Sequence, residues 1–289
     1  MTGPRDRSAP WMAVPALAVV AAVVLVPSLL AVWRSLERRD LVSQEAGFAG
    51  GANYAELAHD SRALASAGRS LLFAGVTVPI EAVLGLSLAL LLAVPFRGRG
   101  PMRAVMLVPW VLPSAIMAMA WALVFHDSYG PFGDLLARAG LAERGVAWLG
   151  RPVSAFLCAA AADVWKTTPF VAVILLAGLQ TIPRDLYDAI EVDGGGPWHR
   201  FRHVTLPLLR PYLAVAISFR AIQALGVFDL LWVLTKGGPA GATETLALYL
   251  YTVVYRYGRI GYGSALTVAL ASLMLLAGLG LSALIRRRR

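Results

Sequence analysis

Long apolar runs separated by short polar segments dominate this 289-residue chain. They extend from about Trp11 to Trp33, Ser70 to Val94, Ala104 to Phe125, Pro152 to Leu179, Pro211 to Thr235 and Tyr262 to Ile285. Each reaches about 20 residues or more, the length a helix needs to cross the hydrocarbon layer of a bilayer. The first run is too long for a signal-peptide core and lacks a small-residue cleavage pattern before a polar domain, so it reads as a retained helix. The pattern predicts an all-α polytopic membrane protein with about six transmembrane helices. Residues 1–289 form one permeating domain in this reading, because no polar linker separates two. No internal repeat or low-complexity segment interrupts it.

The pattern changes between the fourth and fifth runs. Residues 182–211 read IPRDLYDAIEVDGGGPWHRFRHVTLPLLRP. Pro183 suits the first turn of a short helix. Leu186, Ala189, Ile190 and Asp193 follow at helical spacing. Gly194, Gly195 and Gly196 stop that helix and permit a sharp reversal. A second amphipathic piece, Trp198 to Leu206, leads through Pro207 into the fifth run. A short helix, a turn and a second helix make a projecting knob. It either docks on a partner or lies flat on lipid headgroups.

Composition supports the membrane reading. Hydrophobic residues make up 58% of the chain and charged residues only 15%, against about a quarter charged in soluble domains. The net charge of +9 would suggest nucleic acid in a soluble protein. Here the basic residues sit in short loops between apolar runs, which is a topology signal and not a nucleic-acid one. Arg97, Arg99 and Arg103, then Arg184, Arg200, Arg202 and Arg210, then Arg286 to Arg289, fall on one side, together with Arg5 and Arg7. The loops Glu37 to Asp60 and Asp127 to Arg151, on the other side, carry mixed charge. Both termini are therefore expected in the cytoplasm.

Catalytic chemistry is hard to find. The single Cys158 cannot form an internal disulfide or anchor a metal site. His59, His126, His199 and His203 have no metal-ligand spacing. No GxxxxGK[ST] loop is present, so ATP is not bound in that mode. Gly194 to Gly196 follows acidic residues and precedes Pro197, which makes it a turn and not a phosphate loop.

Charged side chains at bilayer depth are costly, roughly 2.5–3.5 kcal/mol each on insertion scales. Glu81 falls near the middle of the second run. Asp163 and Lys166 share a face of the fourth; they neutralise each other or form an ion relay with Glu81. The fifth run carries Ser218, Arg220, Gln223 and Asp229. Gln223 lies near its midpoint, where transporter sites occur, and serves either solute contact or interhelical hydrogen bonding. Arg220 shares its face, whereas Asp229 points the opposite way on an ideal helix. Trp110, Trp121, Trp148, Trp165 and Trp232 either stack on a sugar ring or act as packing and interface anchors. Pro109 and Pro113 should loosen the third helix.

The 182–211 segment resembles the signature loop of ABC importer permeases, an EAA…G…F…LP pattern. Asp188-Ala189-Ile190 stands at the EAA positions, Asp193-Gly194 at the DG pair, Phe201 at the aromatic and Leu206-Pro207 at the LP. Asp188 replaces the usual glutamate, Ile190 the second alanine, and Gly195 a third small residue. Nearly the whole chain is similar to the carbohydrate branch, the maltose and glycerol-3-phosphate permease family. Gly85 to Leu92 with Arg97-Gly98-Arg99-Gly100, Pro109 to Pro113, Trp165 to Phe170 with Leu176 to Gln180, and Phe228-Asp229 followed by Leu234 to Pro239 and Thr243 to Thr245 occur in that branch's order and spacing.

The resemblance implies a multi-pass inner-membrane permease with no catalytic site or cofactor of its own. ATP and Mg²⁺ would sit on a separate ATPase dimer, whose cleft takes the knob. A second permease, a different chain, and an extracytoplasmic solute-binding protein would complete the importer. The solute would be a di- or oligosaccharide, polyol or glycerol phosphate. The implied coupling residues are Leu186, Tyr187, Asp188, Ala189, Ile190, Asp193, Gly194, Gly195, Phe201 and Pro207. Gln223 and Gly226, with Arg220, Asp229, Trp110 and Glu81, are the candidate pathway residues. An ion-gradient-driven secondary transporter, relaying through Glu81, Asp163 and Lys166, is the alternative.

Overall fold

The computed structural model describes residues 9–286, with side chains over 14–281. The basic termini invoked for topology, Arg5, Arg7 and Arg287 to Arg289, lie outside the described residues, as does the Arg286 side chain.

The elements in chain order are α1 (Ala9–Val20), which passes through a π-helical turn into α2 (Val26–Ser35); strands β1 (Glu37–Arg39) and β2 (Ala46–Phe48); α3 (Ala52–His59); α4 (Ser61–Ala93); α5 (Arg99–Val111); α6 (Ser114–Val124); α7 (Pro131–Arg138); and α8 (Pro152–Gln180). Then follow α9 (Asp185–Val192), α10 (Pro197–Arg200), α11 (Leu206–Leu225), α12 (Asp229–Leu234), α13 (Leu246–Tyr251) and α14 (Ile260–Arg286). The all-α expectation holds, apart from the two-stranded hairpin after α2. Among the described residues five helices are long and apolar enough to cross a membrane, or six if α5 and α6 count as one span.

Three boundaries differ from the apolar pattern, each for a local reason. The second span begins at Ser61 and not near Ser70. Asp60 caps it, its Oδ1 accepting the backbone N–H groups of Arg62 at 2.9 Å and Ala63 at 3.1 Å, the favoured role of aspartate at a helix start. The third span is bent by 92° between α5 and α6. Leu112, which precedes Pro113, is extended, with φ −63° and ψ 134°, because a proline ring disfavours helical geometry in the residue before it. The fifth span is helical from Pro197, passing through a π-helical turn at Phe201–Thr205, and breaks at Gly226 before α12 resumes at Asp229.

The chain divides into two units, residues 1–64 with 250–271, and residues 65–249 with 272–289. In the first, β1 and β2 pair antiparallel with Arg38 opposite Gly47. Asp40 closes the turn by accepting the N–H groups of Val42 and Ser43 at 2.8 and 3.1 Å. These two backbone bonds, Ser43's above Val42's, hold its carboxyl below the usual carboxylate range. Arg259 makes a two-pronged ion pair with Glu56 at 2.7 and 2.6 Å, and that bond, ahead of any other influence, keeps its guanidinium protonated. Asn53 Nδ2 donates to the Ser35 and Glu37 carbonyls at 2.8 and 2.9 Å.

The second unit is organised around α8, the helix whose side chains are most enclosed. Ala155, Ala159, Ala160, Ala162 and Ala172 are buried along it. Small side chains let neighbouring backbones approach, and dispersion then replaces the hydrophobic drive that lipid cannot supply. Gly178 makes the same bargain against α11: a Cβ there would stand 2.5 Å from the Tyr212 ring. Ala159, Ala160 and Ala162 meet Met117 and Ala118 of α6 and Leu230, Leu231 and Leu234 of α12 in one cluster. Leu175 and Leu176 meet Ala89 and Leu92 of α4 and Ala216 of α11 in another. Arg69 ties α4 to the segment before α13, its Nε donating to the Glu244 carbonyl at 2.8 Å.

Candidate functional site

Two polar constellations of the second unit hold the sequence-predicted residues. The first is inside the helix bundle. Glu81 of α4 is fully buried, and Arg220 of α11 is 2% exposed. Arg220 Nε donates to Glu81 Oε2 at 2.5 Å, and its Nη2 donates to Glu81 Oε1 at 2.8 Å and to Asp163 Oδ2 of α8 at 2.9 Å. Thr167, one turn beyond Asp163, donates its hydroxyl to Glu81 at 2.8 Å. The remaining guanidinium nitrogen, Nη1, donates to the Gln223 carbonyl oxygen at 3.0 Å. Three helices are thus joined through one planar cation. Charges removed from water are tolerable only in such paired, fully hydrogen-bonded geometry.

The pairing expected within α8 does not form. Asp163 is an acceptor for Arg220, while Lys166 Nζ donates to the Leu112 carbonyl at 2.9 Å and the Ser114 hydroxyl at 2.7 Å. The reason is the bend between α5 and α6. It turns the Leu112 carbonyl out of the helical ladder, and the Lys166 ammonium supplies the donor that carbonyl would otherwise lack. Thr167 as a partner of Glu81, and Lys166 as a cap on the bend, were missed. Spacing by one turn from Asp163 and the two prolines at 109 and 113 were the available signals.

The other pathway candidates have varied settings. Gln223 and Asp229 are exposed. Asp229 Oδ1 accepts the Leu230 N–H at 3.0 Å at the start of α12, and no ion pair joins Asp229 to Arg220 among the described residues. Gly226 ends α11, and a Cβ there would lie 3.1 Å from Met274 Cε. Trp110 is 45% exposed and stacks on Phe170 at 5.9 Å. The other candidate tryptophans are engaged with aromatic neighbours: Trp121 with Phe125 and Trp165, Trp148 with Phe132, and Trp232 with Phe228.

The second constellation is the loop after α8. Its short helix α9 begins at Asp185, so Pro183 precedes the helix instead of entering its first turn. Asp185 and Asp188 lie in the first turn, where negative charge meets the positive end of the helix dipole. The end is built by glycine. Gly194 has φ +77°, a conformation side chains other than glycine rarely adopt. Its N–H bonds the Glu191 carbonyl at 3.0 Å, and the Gly195 N–H bonds the Ile190 carbonyl at 2.8 Å. These two bonds are those of a Schellman motif, with Asp193 as the capping residue. A Cβ on Gly195 would collide with the Ile190 side chain. The chain reverses, and Arg200 Nη2 pairs with Glu191 at 2.6 Å across the turn.

The reversal gives α9 two faces. Tyr187 and Ile190 pack on Ile182, Val204 and Leu209, and the Tyr187 hydroxyl lies 3.1 Å from that of Thr205. The opposite face presents Leu186, 41% exposed, and Val192, 88% exposed, with Asp188, Ala189 and Asp193 also exposed. Phe201 stacks with Trp198 at 5.6 Å, and Pro207 opens α11. The two constellations share α8 and α11 but no side chain.

Residues 81–289 match the family described as binding-protein-dependent transport system inner membrane component. The chain is 43% identical over 257 residues to the trehalose/maltose transport system permease protein MalF of Thermococcus litoralis, covering 89% of this chain and 86% of that protein. It is 39% identical over 260 residues to the sulfoquinovosyl glycerol transport system permease protein SmoG of Agrobacterium fabrum, covering 90% and 84%. It is 32% identical over 263 residues to the trehalose transport system permease protein SugA of Mycobacterium tuberculosis, covering 91% and 83%. In fold it is similar to a chain of a bacterial ABC transporter involved in the import of the acidic polysaccharide alginate, with TM-score 0.83, 20% identity, and 98% and 96% of the two chains covered.

Proposed function

Because the chain belongs to the binding-protein-dependent transport system inner membrane component family, we propose that it is the permease subunit of an ATP-driven importer for a disaccharide or related glycoside. The solute class is supported by relatives named for trehalose, maltose and sulfoquinovosyl glycerol. Neither the family nor the fold favours the ion-gradient alternative, and Glu81 and Asp163 are committed to Arg220.

The observation that carries the coupling role is the exposed face of α9. Leu186, Ala189 and Val192 recur at helical spacing beside Asp188, on a helix pinned at its far end by the glycine reversal. Such a face offers an apolar ridge and negative charge to a cleft on a separate ATPase subunit, where ATP and Mg²⁺ bind. Closure of that subunit pulls on α9, and Tyr187, Ile190 and the Arg200–Glu191 pair pass the displacement to α11. Gln223, held by Arg220 on that helix, faces the solute path with Gly226, Asp229 and Trp110. A solute-binding protein delivers the solute from outside, and a second, different permease chain completes the pore. Both termini are cytoplasmic in this arrangement.

Uptake of labelled maltose and trehalose into vesicles tests it. The expected result requires ATP inside, the binding protein outside, and a co-purifying ATPase. Uptake by this chain alone, abolished by an ionophore and indifferent to ATP, would sink it.

A further inference from the structure

Beside the α9–α10 loop lies a cavity of about 880 Å³ to which the proposed transport mechanism assigns no ligand. Its wall is formed where α4 and α8 end, where α5 begins, and by the α9–α10 segment. The ends of apolar spans lie at the level where lipid headgroups meet water. Leu90 and Leu179 line its apolar part, and Arg99, Arg103, Arg184 and Arg200 its charged part, with no aspartate or glutamate among the lining residues.

The arginines are largely unspent. Arg103 Nη2 donates to the Leu92 carbonyl at 3.2 Å, and of the four only Arg200 has a carboxylate partner among the described residues. The Nε atoms of Arg99, Arg103 and Arg200 are buried and have no acceptor among the described residues. A buried donor left unpaired is unfavourable, and an acceptor bound among these four arginines would relieve that cost. The planar fork of arginine matches the oxygens of a phosphate.

We propose that this cavity binds a phosphate group, presented as the headgroup of an anionic phospholipid or as free phosphate. Basic pockets between helix ends on a membrane face suit anionic headgroups, and the adjoining apolar wall suits the start of an acyl chain. The bound phosphate bridges Arg99 and Arg103 on the α5 side to Arg184 and Arg200 on the loop side, and so braces α9. The inference requires that the spans cross a bilayer and is independent of the solute and of the ATPase.

The full-length protein is reconstituted in phosphatidylcholine with and without phosphatidylglycerol, and retained lipid is counted by native mass spectrometry. The wild-type protein should retain phosphatidylglycerol in preference to phosphatidylcholine. The Arg99→Gln/Arg103→Gln variant should retain at least about tenfold less, as expected for loss of charge-assisted bonds. Arg138→Gln, which alters an arginine of α7 paired with Asp134, should match the wild type. Arg99→Lys/Arg103→Lys keeps the charge without the fork and should fall between. Titration with inorganic phosphate identifies the source: arginine-dependent phosphate binding without lipid retention assigns free phosphate, and lipid retention assigns the headgroup. A folded wild-type protein that takes neither overturns the proposal, as does retention equal in wild type and both double variants. Blockage of the cavity by the bound ATPase alone, with no phosphate uptake, would make it a protein-docking pocket and also overturn it.

Discussion

The Glu81–Asp163–Arg220 cluster and the α9–α10 loop are built from the same residue types but in opposite settings. In the cluster every charge is enclosed and answered by a partner on another helix. In the loop the carboxylates face water, and one ion pair, Arg200 with Glu191, spans a turn. The enclosed set therefore fixes where α4, α8 and α11 stand, and its loss is felt as misfolding. The exposed set contributes little to stability, because exposed ion pairs rarely exceed about 1 kcal/mol, and under the proposed docking its loss should be felt as failed coupling.

The largest effect should come from Arg220→Met. It strands two buried carboxylates and should cost about 3–5 kcal/mol, seen as a lower thermal midpoint in detergent and reduced membrane levels. Glu81→Leu and Asp163→Leu added to Arg220→Met should restore much of that stability, since removing a whole buried cluster is far less harmful than breaking it. If the triple variant folds and also transports at the wild-type rate, the cluster is purely structural and Gln223 needs no support from Arg220.

Gly194→Trp should reverse the pattern. Membrane level should stay near wild type, while uptake falls at least about tenfold through loss of the reversal that presents α9. Full uptake in that variant would contradict a docking role for the loop. Lys166→Met should be milder, about 1–2 kcal/mol for the unpaired Leu112 carbonyl, and should be read as increased exchange or proteolysis at the α5–α6 bend. The smallest effect belongs to the hairpin. The Asp40 carboxyl is lowered in the folded chain by the Ser43 and Val42 amides, so its contribution is complete above the ordinary aspartate pKa near ~4 and fades as the pH falls below that value. Asp40→Asn should remove this pH dependence of hairpin protection without altering uptake at neutral pH.

The spans and the knob were legible because they follow periodicity and punctuation, which are local. Gly194 to Gly196 announced a reversal, and the structure forms one through two specific backbone bonds. The partners of the buried charges were not legible. Asp163 and Lys166 are neighbours on one helix, and sequence favours neighbours, but the Leu112 carbonyl and Arg220 compete for them from other helices. Asp60 as the cap of α4 could have been read from its place before Ser61, yet the apolar run begins later and drew the boundary inward. The α5–α6 bend was signalled by Pro109 and Pro113, while its 92° magnitude depends on packing across α8.

The central claim, that α9 docks on an ATPase, can be tested with the chain's own chemistry. Cys158 is the only cysteine and is buried among alanines, so Cys158→Ala gives a cysteine-free background. Val192→Cys, at a site 88% exposed, and Leu141→Cys, at a site 75% exposed beyond the other end of α8, are then crosslinked in native membranes with a short bifunctional reagent. An adduct with a phosphate-loop ATPase at Val192→Cys, absent at Leu141→Cys and altered in yield by ATP, is the predicted result. An equal yield at both positions, or no ATPase adduct at Val192→Cys while the complex stays intact, would contradict it.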